Sequence, residues 1–246
     1  DYDATWFRLA FGRGLQNSSI THLGVPNLPD DETIATALAR APNLKHLSTG
    51  TKVLTKLAVA LQTHPSILSS LELIAMPDDS ALMDFGSFLP TNRSLTSLRI
   101  AYSTFEIEEE DQEDEQSLSS PDEVSASQQR FVSSMVEIMS GLSANTTLER
   151  LSLTGPLDVP DVCRLLEALQ PNMTLTNFDV PSLQDASMTE EETEALRRVF
   201  QGIYSVEEAE FLECLPEIDI YLRLNRAGRR YLTTYGSASK DAGIAV

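Results

Sequence analysis

The sequence predicts an α/β solenoid, and three observations predict it. The first is one phrase written three times. Leu89-x-x-Asn92-x-x-Leu95-x-x-Leu98-x-Ile100 recurs as Leu142-x-x-Asn145-x-x-Leu148-x-x-Leu151-x-Leu153, and again as Leu169-x-x-Asn172-x-x-Leu175-x-x-Phe178-x-Val180. Agreement at so many aligned positions identifies a repeat architecture before any single element is assigned. The second is the same frame upstream in weaker spelling: Ile20-x-x-Leu23-x-Val25, Leu44-x-x-Leu47 and Leu68-x-x-Leu71-x-Leu73. The third is the second half of each unit, where apolar residues stand three and four apart and line one side of a helix.

Residues 1–19 open with Trp6, Leu9, Ala10 and Leu15, which read as an N-terminal helix or cap, or the end of an earlier repeat. A start at Asp1 without Met is compatible with a true N-terminus, and any targeting signal, lying upstream. Residues 20–204 carry the repeats. Their first apolar positions are 20, 44, 68, 95, 148 and 175, spaced by 24, 24, 27, 53 and 27. Four spacings lie in the roughly 20–29 residues of a leucine-rich repeat, and the fifth is one repeat with an insertion. Helices are predicted around Ile34/Leu38, Leu57/Leu61, Leu82/Phe85/Leu89, Val132/Met135/Met139/Leu142, Val162/Leu166/Leu169 and Leu196/Val199/Phe200/Ile203. Asp30 or Asp31, Asp78 or Asp79, and Thr189 with Glu191 and Glu192 are the expected N-caps. A strand and a helix of this size cannot each bury an apolar side alone, but stacked units bury one continuous core.

Residues 205–234 read as a C-terminal cap in which Ile220, Leu222 and Leu224 alternate like a last strand, with a turn at Asn225 and Gly228. Residues 235–246 read as a flexible tail.

This frame resembles the ribonuclease-inhibitor-like class of leucine-rich repeats over about residues 5–225. The resemblance implies a curved solenoid with parallel strands on the concave face and helices on the convex face. That class carries Asn just after the strand, bonding the backbone of the turn. Here Leu28, Lys52, Met76, Ser103, Pro156 and Leu183 stand there, so its Asn ladder is absent and the turns must be satisfied otherwise. The run Leu224-Asn225-Arg226-Ala227-Gly228-Arg229 resembles the tail of algal (diatom-type) leucine-rich-repeat proteins of unassigned function.

Of 246 residues, 41% are hydrophobic, enough for one core, and no apolar run approaches the roughly 18 residues of a bilayer span. Two cysteines, Cys163 and Cys214, read as free thiols; without cysteine-rich caps an intracellular setting, cytoplasm or organelle lumen, is expected. Asn17, Asn92, Asn145 and Asn172 head N-x-Ser/Thr acceptor sequences, but the last three share one repeat position, so the repeat accounts for them without glycosylation.

The net charge is −19, and residues 106–123 alone hold ten acids and no base. This run, in an insertion at about 103–129, reads as a solvated, mobile loop, or as an acidic arm for a partner with a basic surface. Ser117, Ser119 and Ser120 beside it are candidate sites for an acidophilic kinase. The lack of a basic stripe argues against nucleic acid. Arg223, Arg226, Arg229 and Arg230 form the one basic cluster, read as a solvated cap or a docking point for an acidic partner.

No catalytic, metal or cofactor motif assembles. Alignment of the repeats places His22, His46, Ser70, Ser97, Arg150 and Asn177 in one row across the strands, and Gly24, Ser48, Glu72, Arg99, Ser152 and Asp179 in the next. His22 and His46 become neighbours without a third strong ligand. Beyond these rows lie Ile74, Tyr102 and Thr154, and Tyr102 beside Arg99 is the candidate hot spot. The expectation is a non-catalytic protein-protein interaction module without cofactor, a scaffold or assembly subunit. It binds through the strand face, with the acidic arm and the Arg-rich cap as accessory sites. The second expectation is a regulator of an enzyme, as ribonuclease inhibitors and Ran GTPase-activating proteins of this fold are; an enzyme in its own right is third.

Overall fold

A computed structural model describes residues 4–64, 66–75, 80–102, 121–183, 188–212 and 215–228. Helix and strand alternate along the chain: α1 (Ala4–Gln16), β1 (His22–Val25), α2 (Glu32–Ala39), β2 (His46–Gly50), α3 (Leu54–Thr63), β3 (Ser70–Ala75), α4 (Ser80–Phe88), β4 (Ser97–Tyr102), α5 (Pro121–Ser143), β5 (Arg150–Thr154), α6 (Val159–Leu169), β6 (Asn177–Asp179), α7 (Glu190–Gly202) and α8 (Pro216–Arg226). The strands form one parallel sheet in chain order, β1-β2-β3-β4-β5-β6, the solenoid the repeat demands. Because side chains alternate along a strand, the in-register row Leu47, Leu71, Leu98, Leu151 and Phe178 points inward and is 0–2% exposed. Leu38, Leu57, Phe85, Met135, Leu166 and Phe200 meet it from the helices and are equally buried. Each such side chain contributes about 1.5–3 kcal/mol by leaving water.

An asparagine ladder does exist, one turn before the strand rather than after it. The Oδ1 atoms of Asn92, Asn145 and Asn172 accept the amides two and three residues on, at 2.7–3.2 Å, and so close the loop that feeds each strand. The Nδ2 of Asn145 donates to the carbonyls of Leu89 (2.6 Å) and Asn92 (3.4 Å), and that of Asn172 to Leu142 (2.6 Å) and Asn145 (3.1 Å). Each amide thus satisfies backbone groups that burial would otherwise leave unpaired. The three side chains are 2–4% exposed, which closes them to a glycosyltransferase in the folded state. Asn17 stands at the same repeat position but is exposed, its Nδ2 donating to the Arg13 carbonyl.

Two boundaries differ from the sequence expectation. Residues 121–129, read as the end of the insertion, are the first turns of the 23-residue α5. The predicted strand at Ile220, Leu222 and Leu224 is the helix α8. There Ile218, Leu222 and Asn225 are buried while Ile220 and Leu224 face solvent, a helical spacing hidden inside an alternating run. Asn225 donates from α8 to the carbonyls of Ile203 (3.0 Å) and Val206 (2.6 Å), closing the end of the solenoid. The cap of α2 is Asp31, and Thr189 with Glu192 forms a full capping box on α7. Asp78, Asp79, Cys214, Arg229, Arg230, residues 103–120 (most of the acidic run and its serines) and the tail 235–246 lie outside the described residues.

Candidate functional site: the outer strand face

With the helices on one side of the sheet, the outward side chains of the strands form its other face. The register places His22 opposite His46, then Ser70, Ser97, Arg150 and Asn177 in one row; the next is Gly24, Ser48, Glu72, Arg99, Ser152 and Asp179. Parallel pairing in this register is what makes residues 24–53 apart in sequence into neighbours.

The imidazoles of His22 and His46 stack with centroids 4.1 Å apart and planes 12° from parallel, and the Thr21 hydroxyl lies 2.8 Å from His22 Nδ1. Desolvation lowers the His46 pKa from its ordinary value, and the charges of His22, Lys45 and Arg150 lower it further. Stacked rings direct their nitrogen lone pairs side by side rather than at one point, and no group of three potential metal ligands forms among the described residues.

Glu72 and Arg99 pair at 3.5 Å, both about half exposed, which places opposite charges at the centre of the face. Burial raises the Asp179 pKa, while the neighbouring Val180 and Phe211 amides and the Arg99 charge act to lower it. Asn177 donates to Glu208 at 3.1 Å, and Glu208 also meets Arg226 at 4.0 Å.

Tyr102 is not on this face. The residue in register between Ile74 and Thr154 is Ala101, and Tyr102 lies one step further, opposite Ala75. The period of two turns it inward, where its ring meets Phe131 with centroids 4.8 Å apart. The hot-spot expectation for Tyr102 beside Arg99 is therefore corrected; Tyr102 is a packing residue.

The basic cluster is also partly engaged. Arg223 pairs with Asp219 at 2.6 Å, one helical turn away, and Arg226 donates to the Glu207 carbonyl at 3.1 Å. These contacts tie the cap to itself and to the last strand position. Arg229 and Arg230 lie outside the described residues. The sequence reading had missed the asparagine ladder; its signal was the acceptor motif recurring at one repeat position.

No helix among the described residues is long and apolar enough to cross a membrane. No family model matches the chain, and no curated protein matches it. Among solved structures it is similar to leiomodin-1 actin-binding site 2, with 16% identity over 70% of this chain and 91% of that one and a TM-score of 0.43. It is also similar to the tropomodulin C-terminal domain of Caenorhabditis elegans, with 9% identity over 95% and 99% and a TM-score of 0.31. These findings overturn the expected ribonuclease-inhibitor-like membership and, with no sequence relative matching, the diatom-type likeness of the tail.

Proposed function

We propose that the chain is a non-catalytic protein-interaction module that binds a protein partner through its outer strand face. The observation that carries this is the composition of that face: two in-register rows of polar, small and charged side chains, with Glu72 and Arg99 central and Arg150 and the histidine pair flanking. Such a surface supplies directional hydrogen bonds and opposed charges to a complementary protein. Scaffold or assembly subunit is the role that fits a broad rigid face, in an intracellular setting. The acidic run is its accessory site, drawing a basic partner surface at long range.

The test is an affinity pull-down comparing the wild-type chain, Arg99→Glu, and a deletion of residues 106–120, which stops before α5, each at two salt concentrations. A partner kept by the deletion at high salt but lost by Arg99→Glu assigns binding to the strand face. A partner kept by Arg99→Glu and lost with the deletion sinks the assignment.

A further inference from the structure

The asparagine ladder begins at Asn92, and a groove lies beside this first rung. The two equivalent positions just upstream are not Asn: Ala stands at 41 and Pro at 65. His64 before it is extended, with φ −124° and ψ 138°, as a residue preceding proline prefers. Asn92 is held as its counterparts are, Oδ1 accepting the Ser94 and Leu95 amides at 3.2 and 2.8 Å. Its Nδ2 therefore faces the preceding repeat. Asn145 and Asn172 each find two main-chain carbonyls there; among the described residues the amide of Asn92 has only the Ser94 hydroxyl at 3.5 Å. The Gln62 carbonyl, counterpart of the Leu89 and Leu142 carbonyls, receives no bond from it.

Between these residues lies a groove of about 530 Å³. Leu61 and Phe88 contribute apolar surface, and His64, Ser66, Asn92, Arg93 and Ser94 line it with donors; no Asp or Glu is among its described lining residues. In a chain of 37 acids that is a local reversal of charge. The Arg40 guanidinium approaches His64 Nδ1 at 3.4 Å and can only donate, so the His64 proton sits on Nε2. Arg93 uses one terminal nitrogen on the Pro90 and Asn92 carbonyls and Thr146.

We propose that this groove binds an extended acidic peptide. A main-chain carbonyl of the peptide takes the Asn92 amide as main-chain carbonyls take the later rungs, and a carboxylate meets His64 and Arg93. The carbonyl follows from what the later rungs bind, and the carboxylate from a lining that carries a guanidinium and an imidazole and, among its described residues, no Asp or Glu. The site lies at the N-terminal ends of β3 and β4 and is independent of the outer strand face.

The experiment is an NMR titration of the ¹⁵N-labelled full chain, following the Asn92 side-chain amide. Its probes are a blocked peptide of alternating glutamate and alanine, the same peptide with glutamine for glutamate, and inorganic phosphate. The glutamate peptide is expected to shift the Asn92 amide saturably, with Kd raised about tenfold in Arg93→Gln and in His64→Ala, and unchanged in Arg99→Glu. Three outcomes overturn the proposal: no shift of the Asn92 amide at millimolar peptide, equal shifts from the glutamine peptide, or equal binding of phosphate alone. The wild-type titration decides even where a variant fails to fold.

Discussion

The side chains that hold this chain in one register are small and polar. Asn145 gives its four hydrogen-bonding positions to two repeats at once, so Asn145→Ala removes the turn closure of one and the carbonyl partners of another. The expected loss is about 2–3 kcal/mol, since buried partners stay unsatisfied, measured as the urea midpoint at constant slope. Thr49 is the opposite case. It occupies an inward position that Leu73 and Ile100 fill in neighbouring strands, is 0% exposed, and its hydroxyl has no partner among the described residues. Thr49→Val is expected to stabilise by about 1 kcal/mol in the same assay, because the hydroxyl is desolvated without a bond in return. His46 sets a pH dependence. Its folded pKa lies below the unfolded 6.5, so the unfolded chain binds the proton first as pH falls. Its contribution is complete above pH 6.5 and is lost as pH drops through the lowered value. The urea midpoint of the wild type is expected to decline relative to His46→Gln across that window; parallel midpoints would exclude the mechanism.

At the scale of elements, α4 and α5 approach closely because each offers a glycine. A Cβ on Gly141 would run into the Gly86 carbonyl, and one on Gly86 would lie 2.9 Å from the Glu137 carbonyl. Both obstacles are backbone, so neither can swing aside. Gly141→Ala is expected to cost about 1–3 kcal/mol of stability despite its better helix propensity, and a stabilised variant in thermal melting would contradict the close approach. The element the sequence misassigned, α8, shows the limit of periodicity. Ile218-Asp219-Ile220-Tyr221-Leu222-Arg223-Leu224 alternates and is also spaced for a helix. Pro216 at the helix start, and burial of Ile218, Leu222 and Asn225 against the last repeat, resolve the tie toward the helix.

Over the whole molecule, a solenoid is stabilised by its neighbours in series, so its ends govern fraying. Truncation before Leu215 removes α8 and the Asn225 bonds to Ile203 and Val206. Amide exchange is expected to speed first in α7 and β6 and last in β3 and β4; uniform loss of protection would mean that the array unfolds as one unit. Cys163 reports on the same opening, because it is buried and burial pushes its thiol up to about 11. The strand-and-helix alternation, the repeat spacings and the two outward rows were legible in the chain alone. A leucine frame fixes which side chains face the core, and parallel strands in chain order align equal repeat positions. Three matters waited for tertiary structure: the inward turn of Tyr102, the service of Asn145 and Asn172 to the carbonyls of the preceding repeat, and the groove beside Asn92, where the ladder begins. Each depends on which backbone atoms lie opposite a side chain from another repeat, a distance of 27 to 56 residues along the chain that no local pattern encodes.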